Sequence, residues 1–170
     1  MHPELRLPAR AQAGEGARAV VLDTNIVLDL FIFADPAVAP LRGLLQARRL
    51  HWLATRPMRD ELERVLQYTH LQPRMQYHGV TAQHVLAAFD TGARLAEVAP
   101  RAPHACKDAD DQKFIDLAVA QRAMLVSKDK AVLCMRKRLL ALGVQVAASM
   151  VLESEAVCQH NALVAGAISY

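Results

Sequence analysis

The sequence predicts an α/β fold built on a mostly parallel sheet covered on both faces. Three observations lead there. Short apolar runs alternate with helical patterns from Ala19 onward, two of those runs end in an acid, and proline and glycine punctuate the boundaries between them. At 170 residues, with 53% hydrophobic and 22% charged residues, the chain suits one globular domain with a real core.

Residues 1–18 mix Pro3, Pro8, Gly14, Gly16 and charges without apolar periodicity, which predicts a flexible, strand-free extension. Ala19 to Asp23 reads as a first strand, followed by a short apolar helix from Asn25 to Phe33 and a second helix from Pro36 to Arg48, with proline at its first turn. His51 to Ala54 is the next strand, and Thr55 caps a helix from Arg56 to Tyr68. Pro73 breaks the pattern. Thr81 opens a helix to Gly92, Leu95 to Ala99 is a weaker strand, and a proline-containing loop runs from Pro100 to Asp110. Asp111 to Arg122 has one apolar face in Phe114, Ile115, Ala118 and Val119, which marks it as helix. Met124 to Ser127 is a strand, Lys130 to Leu142 a helix ended by Gly143, and Val144 to Val146 the fifth strand. A last helix is expected over 149–158, with 159–170 as a tail.

Composition excludes several classes. The apolar stretches 19–34 and 139–152 are shorter than the roughly 20 residues a membrane span needs, and the first contains Asp23 and Asp29. Glu4 and several arginines stand where a secretory signal would be apolar, so a cytoplasmic protein is expected. Cys106, Cys134 and Cys158 are widely spaced without a C-x-x-C pair, which indicates neither a disulfide framework nor a zinc knuckle. The net charge of +3 is mild, but if several acids converge, the remaining surface is more basic than the total implies. Arg56, Arg59, Arg64, Lys113, Lys128, Lys130 and Arg136-Lys137-Arg138 are then candidates for a polyanionic partner, or simply solvated helix faces.

The acids carry the chemistry. Val20-Val21-Leu22-Asp23 delivers a carboxylate to the carboxyl end of an apolar strand, where it is costly unless paired, coordinated or used as a helix cap. Met124-Leu125-Val126-Ser127-Lys128-Asp129 repeats that logic, again with helix capping as the alternative. Glu61 borders the Met58, Leu62, Val65, Leu66 face of its helix, placed either to reach a cleft or to pair with an arginine such as Arg64. Asp108, Asp110 and Asp111 offer three acids at one helix start, more than capping requires. Asp116 reaches such a site only if its helix axis runs alongside. Asn25 is placed to donate to Asp23 or to cap the following helix, and Thr24, Asn25 and Ser127 stand where they would orient the acids or bind a water of any metal held there. His104, Cys106, Cys134 and His160 match no zinc spacing, and Trp52 is core or a stacking platform.

The motifs Val-Leu-Asp23-Thr24-Asn25, Asp60 to Leu66, Asp108 to Ala118 and Ala123 to Leu133 together resemble the PIN-domain family, most of all its branch of bacterial toxin–antitoxin components. That resemblance covers 19 to about 152 and implies a three-layer α/β/α sandwich with a mostly parallel sheet of about five strands, in a domain placed at 19–158. It further implies a single-strand-directed endoribonuclease whose Mg²⁺ or Mn²⁺ is held by Asp23, Glu61, Asp111 and Asp129, with Asp108 as an addition. A homodimer and an antitoxin partner follow from it too, with the apolar helix 26–33 and the C-terminal segment as surfaces for association. The alternatives are a PIN-like module that binds RNA or protein without cleaving, and a phosphotransfer protein using Asp23 as nucleophile. The second lacks the usual aspartate two residues on, where Asn25 stands. The arm before Ala19 and the loop at Pro100–Pro103 fall outside the pattern.

Overall fold

In the computed structural model, which describes residues 2–154, five parallel strands form the central sheet and helices flank it. In chain order the strands are β2 (Arg18–Leu22), β3 (Leu50–Ala54), β4 (Ala93–Leu95), β5 (Met124–Val126) and β6 (Val146–Ala147), and their order across the sheet is β4-β3-β2-β5-β6. The chain therefore steps outward from β2 through β3 to β4, then returns to the other side of β2 for β5 and β6. The place where that direction reverses lies between β2 and β5, and open parallel sheets bind ligands outside the carboxyl ends of such a strand pair. Asp23 follows β2, and Ser127 follows β5.

The strands form where the sequence has continuous apolar runs, because both sheet faces are covered. Val20, Val21, Leu22, Leu125 and Val126 are all buried. Helix α1 (Thr24–Leu28) continues into one π-helical turn, Asp29–Phe33, and α2 (Ala39–Gln46) follows a 3₁₀ turn at Pro36–Val38. Next come α3 (Arg56–Val65), α4 (Gln72–Tyr77), α5 (Ala82–Gly92) and α6 (Gln112–Gln121). The expected helix over 130–142 is two, α7 (Lys130–Leu133) and α8 (Arg136–Ala141), and Gly143 follows with φ +83°. Trp52 is core, stacked on Phe31 and edge-on to Phe89.

Several expectations are corrected. The arm is not strand-free: β1 (Glu4–Pro8) pairs in parallel with β7 (Ser149–Glu153), the segment expected to be helical. Glu4-Leu5-Arg6-Leu7 alternates with period two and buries Leu5 and Leu7, while β7 buries Met150. Met150-Val151-Leu152 is an apolar run too short for periodicity to tell helix from strand, and β1 has only two apolar residues facing inward, so pairing with a distant partner decides both. Arg49 Nη1 donates to the Pro8 carbonyl at 2.8 Å, fastening β1 to the start of β3. The pattern does break near Pro73, and a further short helix, α4, begins there, with the proline in a first turn where it lacks no hydrogen bond. β4 lies at 93–95 rather than 95–99, since α5 runs directly into it. The remainder of the expected helix 149–158, the tail 159–170, Cys158 and His160 lie outside the described residues.

The apolar side chains expected to offer an association surface are also placed differently. Ile26, Val27, Leu28, Leu30 and Ile32 are buried in the chain's own core. Among the described residues no single helix is long and apolar enough to cross a membrane.

Candidate metal centre

Asp23 stands directly after β2 and is 4% exposed. Its side chain makes no capping hydrogen bond to α1; instead its Oδ2 accepts from the Ser127 hydroxyl at 2.6 Å, a contact between the two strand ends at the sheet's reversal point. Burial pushes the Asp23 carboxyl above its ordinary range, the Ser127 hydrogen bond opposes that, and the charges of Glu61 and Asp129 add to it.

Glu61 projects from α3 toward the same place. Its Oε1 accepts from Thr24 Oγ1 at 2.8 Å, and its Oε2 is ion-paired with Lys113 of α6. Arg64 is not its partner. Asp111 and Asp108 come from the 3₁₀ turn Ala109–Asp111 and its cap. Asp111 is 8% exposed, and its Oδ2 is buried with no hydrogen-bond partner. Burial first, then the charges of Asp23, Asp129 and Asp108, raise its carboxyl to about 7, with Lys113 pulling the other way.

Asp129 does cap α7: its Oδ1 accepts from the Ala131 N–H at 2.7 Å, while its own N–H donates to Ser127 Oγ at 3.1 Å. Asp108 Oδ1 likewise accepts from the Asp110 N–H at 3.0 Å. Capping fixes these two side chains without removing them from the cluster. One carboxylate oxygen from each of Asp108, Asp111 and Asp129 lies within 4.8 Å of the others, and Asp23, Glu61 and Asp111 line a common cleft of about 330 Å³. Asn25 is exposed on the same cleft.

Asp116 turns elsewhere. Its Oδ1 accepts from the Ala102 N–H and from Gln112 Nε2, each at 2.8 Å, and thereby ties the proline loop to α6. Gln112 completes that tie, with Oε1 accepting from the Cys106 N–H at 2.6 Å. The loop is thus a brace beneath the turn that presents Asp108 and Asp111, a role that spacing alone does not reveal. Cys106 and Cys134 both donate to the Ala131 carbonyl, and the donor cluster found among the described residues contains neither histidine nor thiol.

An all-carboxylate set with one buried, unpartnered oxygen fits a hard divalent cation such as Mg²⁺ or Mn²⁺, which take oxygen ligands, better than zinc. Carboxylates this close repel one another, and a cation among them would remove that cost.

This chain belongs to the PIN domain family, whose model matches residues 19–131. Domains of this family are generally nucleases that use divalent metals. Among solved structures the chain is similar to one in the crystal structure of VapBC2 from Rickettsia felis bound to a DNA fragment from their promoter. The TM-score is 0.52 at 15% identity, over 76% of this chain and 98% of that one, a likeness of fold. A search of curated proteins finds no match.

Proposed function

We propose that this chain is a Mg²⁺- or Mn²⁺-dependent endoribonuclease that cleaves phosphodiester bonds of single-stranded RNA, acting as the toxin of a type II toxin–antitoxin pair. The observation that carries the reading is the meeting of Asp23, Glu61, Asp108, Asp111 and Asp129, from four separate segments, beside the carboxyl ends of β2 and β5. Asp23, Asp111 and Asp129 would hold the cation, with Asp108 as a further ligand and Glu61 as ligand or as the base that takes a proton from the attacking water. When bound, the cation supplies Lewis-acid activation of water and offsets charge developing on the phosphoryl oxygens.

The chain's own groups prepare that chemistry. Ser127 holds one oxygen of Asp23, and Thr24 and Lys113 hold both oxygens of Glu61, so neither acid has to reorganise. Asn25, exposed on the cleft, would contact substrate or a solvating water. The likeness to a VapBC2 structure supports an antitoxin partner, and a homodimer in the cytoplasm is part of the same reading.

The test is cleavage of a 5′-labelled single-stranded RNA by the purified chain with Mn²⁺ or Mg²⁺. The expected result is cleavage that EDTA stops and that Asp23→Asn abolishes while circular dichroism stays unchanged. Full activity in Asp23→Asn would sink the reading, and RNA binding without cleavage in the wild type would favour the non-cleaving module.

A further inference from the structure

Beside the acidic cleft lies a second one of about 580 Å³, and the two share Asn25, Phe33 and Arg74. The second cleft is also lined by Asp29, Lys128 and His78. Its cations differ in what they face. Lys128 is ion-paired with Asp29, whose side chain is 8% exposed, so that charge is largely cancelled. Arg74 of α4 is exposed and has no carboxylate partner among the described residues. Its guanidinium lies over the Phe33 ring, 3.9 Å from the centroid, and His78 braces that ring edge-on at 6.1 Å.

Besides Lys128, three more of the basic residues that the sequence offers for a polyanion are already occupied. Arg59 pairs with Asp90 through two hydrogen bonds, Arg56 with Asp60, and Lys113 with Glu61. A strand entering a cleft lined by acids meets repulsion at each phosphate that the acids face. A guanidinium just outside them, seated over an aromatic ring, offers what the neighbouring nucleotide needs: charge for its phosphate and a planar group for its base.

We propose that Arg74, seated on Phe33, is a nucleotide subsite beside the acidic centre, binding the phosphate and base of the single-stranded RNA residue that adjoins the scissile bond. This rests on the nuclease reading for the word scissile, but the binding itself is separately measurable. Arg74 is a substrate-binding residue here, with Phe33 beneath its guanidinium and His78 bracing Phe33.

The experiment measures binding of a fluorescein-labelled single-stranded RNA octamer by anisotropy, in the Asp23→Asn background with Mg²⁺. Arg74→Ala, Arg74→Lys and the control Arg18→Ala, at the exposed amino end of β2 opposite the acidic site, are compared. Loss of one stack and one phosphate contact predicts about tenfold weaker binding for Arg74→Ala, with the salt slope reduced by about 0.7. Arg74→Lys restores the salt slope but not the full affinity, since an ammonium keeps the charge and loses the plane. Arg18→Ala changes affinity less than about twofold. Unchanged binding in Arg74→Ala overturns the subsite, as does an equal loss in Arg18→Ala, which would mark a general charge effect. Absence of cleavage by the wild type with this Arg74 dependence intact would remove the nuclease reading and leave the subsite standing.

Discussion

Replacing Asp111 by asparagine should make the metal-free protein more stable while abolishing the proposed RNA cleavage. The carboxyl of Asp111 is raised from 3.8 to about 7 by burial and by three neighbouring acids, so near neutral pH the fold bears the cost of ionising it. A rise of that size corresponds to about 4 kcal/mol between the two protonation states. Because the cleft opens to water, the realised cost is closer to about 2 kcal/mol. The sign follows from proton linkage. The folded state binds this proton more tightly than the unfolded one, so the contribution is favourable below about pH 4 and is lost progressively as pH rises to about 7. Asparagine keeps the shape and removes the charge. In EDTA at pH 8, Asp111→Asn should therefore melt about 4–8 °C above the wild type, and the gap should close toward pH 4. Millimolar Mn²⁺ should raise the wild-type melting temperature and leave the variant's nearly unchanged, since only the wild type retains the ligand. Thermal unfolding followed by circular dichroism across pH 4–8.5 reads all of this. A variant less stable than wild type at pH 8, or a gap independent of pH, would refute the account of the acids as a cluster waiting for a cation.

Three further outcomes are expected. Thr24→Val removes the hydroxyl that holds Glu61 Oε1 and should lower the cleavage rate about tenfold with under about 1.5 kcal/mol change in stability, measured by single-turnover kinetics and urea unfolding. Leu7→Asp puts a charge where a buried strand residue packs and should cost about 3 kcal/mol by urea midpoint, whereas Arg6→Ala on the opposite side should cost under about 0.5 kcal/mol. Lys128→Met leaves the buried Asp29 carboxylate without its cation and should destabilise by about 1–3 kcal/mol, measured by urea unfolding.

The parts legible in the sequence are those with a local cause. Val20-Val21-Leu22 and Met124-Leu125-Val126 are apolar on both sides because both faces of a parallel strand are covered, and each points to the polar residue that ends it. Glu61 is readable from helical phase. What escapes local reading depends on a distant partner. β1 and β7 contribute few buried side chains each and become strands only beside one another. Lys113, expected on a basic surface, instead neutralises Glu61 across two helices. Arg74 and Phe33 lie on elements joined only by tertiary packing, and no spacing rule links them. Asp23 and Ser127 are the instructive middle case: each is visible at its own strand end, but the bond between them follows from the sheet placing β5 next to β2.

The pairing of Glu4–Pro8 with Ser149–Glu153 has a consequence for the order in which the molecule can be completed. On a ribosome β1 emerges before every other described strand, yet its partner emerges after all of them, when the segments bearing Asp23 through Asp129 are already available to fold. Closing so long a loop is slow, and until it closes β1 presents a bare edge to any other strand it meets. The two strands form a sheet of their own, so a cut or fusion that occludes one deprives the other of its ladder partner, and damage at either end of this pair is felt at both.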